Sequence, residues 1–297
     1  MVNQLVQRLT NLDFKQLINL NKKLKIFSSE PIQSENKTIG KSLIFTFNKT
    51  EGLKMEANGL SQYIENGFIN LTSNKPFSLF RENNPEKTHQ YVGKLEVRAN
   101  KKGLLVINHI PLEEYVRGVV PNEVVKTWPL NVLKAQAVAA RTYAVYHTLS
   151  GQNASFWDVD DTARYQVFTG IKHTVLKTDQ SVTETEGEIM TFKDKVIKAY
   201  FHSYSGGKTI SAKEIFGEAN NNYCLGRDEI FEREELLKEL NPKFSWIVEW
   251  KSPKTKNVAL LKKLKMELSL QERFKNYNEL DEVALKVERD EKNFNSL

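Results

Sequence analysis

Only one cysteine, Cys224, stands in 297 residues. No intrachain disulfide can form, and a zinc site built on paired cysteines lacks its ligands. One cysteine does not identify the compartment. Histidine is almost as scarce. His89, His109, His147, His173 and His202 make no H-E-x-x-H or other tight ligand pair, so neither a metal nor a cofactor is expected. There is no Walker loop and no G-x-S-x-G elbow. No stretch approaches the roughly 18 apolar residues that span a bilayer, so no transmembrane segment is expected. Residues 2–26 hold apolar pairs such as Leu5-Val6 and Leu17-Ile18 but no continuous apolar core of a signal peptide, so none is expected in the chain as given. The densest basic run, Lys262-Lys263-Leu264-Lys265, reads as the wet side of a helix, which argues against nucleic acid as a partner. Internal repeats and low-complexity tracts are missing too.

Aromatic residues are plentiful: 16 Phe, 10 Tyr and 4 Trp need a core, which excludes a chain disordered throughout. Lys and Arg exceed Asp and Glu by 43 to 37, a net charge of +6. That excess suits an anionic partner, or solubility alone.

Leu5, Leu9 and Leu12 have helical spacing, so residues 2–25 read as a short amphipathic helix, and residues 28–40 as loop. From 41 to 108 the period becomes two. Strands are expected at 42–47, 53–57, 68–72, 77–80, 92–97 and 104–108, punctuated by Gly52, Gly59, Gly67, Gly93 and Gly103. Helical spacing returns at 112–119 and at 129–149, the second opening on Pro129 with Leu133, Ala137, Ala140 and Ala144 facing the core. Further strands are expected at 181–192 and 196–203 around a turn at Lys193-Asp194-Lys195, at 246–250 and at 283–287, with a charged helix at 258–274. Helices embedded between strand-rich segments, without a βαβ rhythm, define α+β: a strand-rich N-terminal part, and a mixed domain whose long helix 129–149 packs on antiparallel strands. The domains read as 1–40 (helix and linker), 41–250 (main domain) and 251–297 (helix and strand).

Three places carry candidate chemistry. Glu123 follows Val119-Val120-Pro121-Asn122 at a helix-to-loop boundary; partial burial there raises a carboxyl pKa and suits a general acid. The bland alternative is an exposed helix-terminal acid. Lys134 and Arg141, seven apart, form a basic stripe that suits an anionic or hydroxyl-rich ligand, or else a solvated face. Gln136 and Tyr143 share that spacing on another face. In 199–209, a strand enters a turn with His202, Ser203, Ser205, Gly206 and Gly207. Glycines there let a ligand approach the backbone and the imidazole can move a proton, unless this is simply a polar hairpin. Ser203 or Ser205 with His202 is not a triad, because strand neighbours point to opposite faces.

Four linked elements resemble one family. Pro111-Leu112-Glu113-Glu114-Tyr115-Val116-Arg117-Gly118-Val119-Val120-Pro121-Asn122-Glu123 looks like its "PLEEYLxGVVPxE" signature, and 128–144 (WPLNVLKAQAVAARTYA) like its "WPxEALKAQAVAARTYA" helix. Gln166-Val167-Phe168-Thr169-Gly170 is similar to "QVYxG", and Phe201-His202-Ser203-Tyr204-Ser205-Gly206-Gly207 to "FHSxSGG". Order and spacing agree, over a core match of 90–250. The chain is identified as a member of the SpoIID/LytB family (sporulation stage II protein D and amidase enhancer). The resemblance implies a bacterial wall protein acting outside the cytoplasm on peptidoglycan glycan strands. Enzymatic members are lytic transglycosylases that leave 1,6-anhydro ends; others enhance wall amidases, the alternative expectation here. It implies Glu123 as the catalytic acid. Lys134, Arg141 and His202 become cleft residues, with Gln136, Tyr143, Ser203, Ser205, Gly206 and Gly207 as further substrate-binding candidates. One departure falls beside the acid: Val124-Val125 stand where members often carry Met-Pro.

Overall fold

The computed structural model describes residues 13–19, 23–35, 37–81, 84–100, 103–150, 156–162, 164–202, 209–217, 222–228, 247–250 and 285–288. The chain divides into two compact units, residues 1–201 and 202–297. Strands and helices segregate as an α+β protein does.

The first unit begins with strands where sequence periodicity predicts a helix and a loop. β1 (Asp13–Asn19), β2 (Lys23–Ser34) and β3 (Lys37–Asn48) occupy most of the first 48 residues. The helical reading of 2–25 fails over its described part because Leu24 and Ile26 alternate with exposed Lys23, Lys25 and Phe27, a period of two. The loop reading of 28–40 fails because the β2–β3 ladder runs through it, with shifts of register that absorb its polar residues. Residues 2–12 lie outside the described residues.

β2 and β3 centre a six-stranded sheet with β4 (Gly52–Ala57), β5 (Leu60–Tyr63), β7 (Phe77–Arg81) and β8 (Asn84–Tyr91), in the order β5-β4-β3-β2-β7-β8. A five-stranded sheet combines β1 with β6 (Phe68–Leu71), β9 (Lys94–Asn100), β10 (Gly103–Pro111) and β11 (Val159–Asp160), ordered β11-β1-β10-β9-β6. All its pairings are antiparallel except β1 with β11. Leu24, Ile26, Leu43 and Phe45 of one sheet share a buried core with Ile18, Leu95, Val97 and Val106 of the other. Hydrophobic burial is what joins the sheets.

Helix α1 (Leu112–Glu123) follows β10 directly and rests on β1 and β10. Tyr115 meets Phe14 of β1 with the rings tilted by 46° and their centroids 4.3 Å apart. The helix runs past Val119, the sequence-predicted end, and carries Pro121 in its last turn. Asn122 sustains that turn: its Nδ2 donates to the Gly118 carbonyl at 2.6 Å. Helix α2 (Leu130–Ser150) packs on α1 and on α3 (Leu176–Thr183), burying Leu133, Ala137, Ala140 and Ala144 as their spacing predicts. α3 takes the start of the strand expected at 181–192, leaving only β12 (Thr191–Phe192) paired with β13 (Lys195–Val196). Their turn is Lys193-Asp194, both at positive φ, the geometry a two-residue hairpin favours. Among the described residues no helix is long and apolar enough to cross a membrane.

One glycine is fixed by contact rather than by backbone freedom. A Cβ at Gly118 would lie 2.3 Å from Cε2 of Phe168. That ring is 1% exposed and stacked on Tyr115 at 5.1 Å, so it has no room to retreat. Alanine normally gains about 0.5–1 kcal/mol over glycine inside a helix, but overpacking a tight core costs about 1–3 kcal/mol. Gly118→Ala is therefore expected to lower the urea midpoint; an unchanged or raised midpoint would show that Phe168 can move.

The second unit has α4 (Ala212–Phe216), begun by Ser211, whose Oγ accepts from the Glu214 N–H, and ended by Gly217 at φ 67°. β14 (Ile247–Trp250) and β15 (Leu285–Glu288) fall within or beside the strands expected at 246–250 and 283–287, and they form an antiparallel pair. The helix expected at 258–274 lies outside the described residues.

Candidate active site

Glu123 is the last residue of α1, and an extended segment, residues 165–170, lies alongside that end of the helix. Several contacts hold the segment. Thr169 Oγ1 donates to Asn122 Oδ1 at 3.1 Å, and Phe168 fills the notch at Gly118. At its far end Gly170, at φ 79°, bridges to Gln90 of β8, with no room for a side chain against the Gln90 carbonyl. The Ile171 N–H donates to that carbonyl at 2.8 Å. The segment thus delivers the Val167 N–H to Glu123, donating to Oε1 at 2.6 Å.

Glu123 is half-buried. Burial pushes its carboxyl above the ordinary carboxylate value, and the Val167 N–H, which favours the charged form, opposes part of that rise. Beside it lies Tyr115, fully buried, its phenol held well above the usual range first by burial and then by the neighbouring Tyr143, Glu123, Asp160 and Asp161. Tyr115 Oη donates to Gln166 Oε1 at 3.2 Å. A carboxylic acid that keeps its proton to higher pH, with one face open, has the makings of a general acid.

The raised value has a consequence for stability. The folded chain holds the Glu123 proton to higher pH than the unfolded chain does. This group's contribution is therefore greatest below the unfolded value, and stability declines as pH rises through the folded one. Glu123→Gln is expected to remove that decline and to be the more stable protein near neutrality. Urea midpoints of both proteins from about pH 4 to about pH 8 check it; parallel curves would sink it.

Both cations of the α2 stripe are paired within the protein. Arg141 is completely buried, and each of its N–H groups is engaged. Nε and Nη2 grip both oxygens of Glu113 at 2.8 and 2.7 Å; Nη2 also donates to the Val182 carbonyl, and Nη1 to Thr185 Oγ1 and the Glu188 carbonyl. The expected cleft role of Arg141 is thus corrected: its donors tie α1, α2 and the end of α3 together. Lys134, partly exposed, pairs with Glu184, which it holds below the ordinary carboxylate value. Gln136 is half-buried, its Nε2 without a hydrogen-bond partner among the described residues. Tyr143 is 8% exposed and close enough to influence Tyr115, which brings it into the Glu123 neighbourhood. His202 is exposed and belongs to the second unit. Ser203, Ser205, Gly206 and Gly207 lie outside the described residues.

Sequence reasoning missed the backbone donor at Val167, the Asn122–Thr169 pair and the Tyr115–Gln166 bond. The only signal for them was the run Gln166–Gly170, whose glycine and aromatic mark a segment made for close packing. Among the described residues, no three His, Cys, Asp or Glu side chains stand close enough to hold a metal ion.

Together these features define an α+β domain with one environment-tuned carboxyl at the end of a helix. Residues 100–192, which carry that helix, α2 and the Glu123 clamp, match the family model of the stage II sporulation protein, SpoIID. Over this segment the chain is similar to proteins of the SpoIID/LytB family. It is 44% identical over 130 residues to an uncharacterized protein of Brachyspira hyodysenteriae, covering 44% of this chain and 35% of that one. It is 35% identical over 104 residues to the amidase enhancer of Bacillus subtilis, covering 35% and 14%. With stage II sporulation protein D of the same organism it shares 35% identity over 127 residues, covering 38% and 37%. The match therefore spans between 14% and 37% of the length of these relatives.

Proposed function

We propose that this protein is a peptidoglycan lytic transglycosylase acting outside the cytoplasm, with Glu123 as its single acid and base. The observation that carries the reading is a half-buried carboxyl, raised by burial and fixed by the Val167 N–H. Protonated Glu123 gives its hydrogen to the glycosidic oxygen between MurNAc and GlcNAc, and the bond to the MurNAc anomeric carbon breaks. The carboxylate left behind then takes the proton of that sugar's 6-hydroxyl, whose oxygen closes on the anomeric carbon. Atoms balance without water, and the product is a 1,6-anhydro end. Ordinary glycosidases divide these tasks between two carboxylates; here one group performs both in turn, which needs a pKa near the working pH. Arg141 takes no part, since its donors are already committed. Lys134 would reach a substrate anion only by leaving Glu184.

The test is purified protein on peptide-free glycan strands, read by mass spectrometry. Anhydro-terminated fragments are expected; fragments heavier by one water would mean hydrolysis instead. A second reading is favoured by the likeness to a protein named an amidase enhancer and by the internal pairing of the α2 cations. In it the domain binds glycan without cutting and speeds a wall amidase. Binding with no anhydro product, and faster amidase turnover on mixing, would select it.

A further inference from the structure

Gln166, in the run Gln166–Gly170, bonds to two helices at once. It is fully buried. Its Oε1 accepts from Tyr115 Oη of α1 at 3.2 Å, and its Nε2 donates to the Ala140 carbonyl of α2 at 3.3 Å. A buried carboxamide costs free energy unless its donor and acceptor are both used, and here each bonds a different helix. The next residue is Val167, whose N–H meets Glu123 Oε1 at 2.6 Å. We propose that Gln166 is a positioning residue for Glu123: by spanning α1 and α2 it fixes the extended segment at the depth where the Val167 N–H meets the carboxyl.

The geometry requires a residue of this length and kind. The segment 165–170 forms no continuous strand ladder at this point, so side chains must set its distance from α1. Phe168 and Thr169 anchor it on the far side of Val167, against Gly118 and Asn122. Gln166 anchors the near side. With both anchors the N–H has one position; without Gln166 it can withdraw, and the carboxylate loses the Val167 hydrogen bond while its burial remains. Glutamate 123 would then hold its proton more tightly and give it up less readily. The titratable groups facing this cluster are Tyr115 on α1, Tyr143 on α2, Asp160 on β11 and Asp161 just after it, none of them altered by substitution at 166.

The inference deepens the transglycosylase reading and rests on it for its functional meaning, but its test needs no substrate. The full chain labelled with carboxyl-13C glutamate is titrated by NMR, the Glu123 signal being identified by its loss in Glu123→Gln. Gln166→Met keeps the length and removes both hydrogen bonds; its Glu123 midpoint is expected to rise by about one pH unit. Tyr115→Phe removes one of the two tethers and is expected to give about half that rise. A Glu123 midpoint at the wild-type position in folded Gln166→Met would overturn the proposal. If that variant does not fold, an unshifted Tyr115→Phe does so alone. Should the wild type release no anhydro product while the shifts are observed, the enzymatic reading fails and the positioning stands. Product from the wild type with no shift in the variants is the reverse case.

Discussion

Glu123→Gln is expected to reduce the release of anhydro ends by about 10³–10⁴-fold with little change in KM. General acid–base catalysis by one side chain contributes about 10²–10⁴-fold. The upper part of that range applies because the same carboxyl is used in both proton transfers. Glutamine keeps the shape and still offers an oxygen to the Val167 N–H, so the clamp on the helix end survives. What it lacks is a proton to give and a charge to take one back. The defect should therefore lie in kcat, the mark of a group that acts in the transition state rather than in binding. Glu123→Asp gives a finer reading: it retains the chemistry but withdraws the carboxyl by one methylene from both the N–H and the sugar. Misplacement on that scale is enough to cost about 10²-fold. The measurement is the rate of anhydro-end formation on peptide-free strands. Activity of Glu123→Gln within tenfold of the wild type would remove Glu123 from the chemistry.

What could be read from the chain was mostly what is local. The apolar rhythm Leu133, Ala137, Ala140 and Ala144 set the buried side of α2, and Lys193-Asp194 set a hairpin turn. Glu123 could be singled out because a proline and four valines around it announce a carboxyl in apolar company. The misread parts depend on distant partners. β1 pairs with β10, some ninety residues on, and nothing within 13–19 announces that ladder. The cations of α2 looked like a ligand surface because a helical wheel shows one helix alone. It cannot show that α3 and the turn after it bring Glu184, Thr185 and the Val182 and Glu188 carbonyls across that face. Glu113 stands in the first turn of α1, where an acid is favourable on local grounds, and nothing near it in sequence marks it as the counter-ion of Arg141. The clamp on Glu123 was hidden for another reason: its donor is a backbone N–H, which every residue but proline carries.

Arg141→Met is expected to cost about 3–5 kcal/mol of folding stability, the loss typical when one partner of a buried ion pair is removed. Domains of ordinary stability have about 5–15 kcal/mol in all, so this single change should bring the protein close to unfolding. The reason is asymmetry. Methionine fills most of the arginine's volume, but it strands Glu113 at 14% exposure, with the Gly187 N–H at 3.2 Å as its remaining partner among the described residues. Removing the stranded charge as well, in Glu113→Leu with Arg141→Met, should recover much of the loss, because an apolar pair avoids the desolvation that the ion pair suffers. Recovery should stop short of the wild type, since the Glu188 carbonyl still loses the arginine's N–H. Arg141→Lys should fall between the two: a single ammonium cannot hold both oxygens of Glu113 and also reach two carbonyls. Urea midpoints of the four proteins check the order. A loss under about 1 kcal/mol in Arg141→Met, accompanied by weaker glycan binding, would return this guanidinium to the ligand, and with it the wet-stripe view of α2; a steep loss that the second substitution largely repairs fixes it as the rivet between α1, α2 and α3.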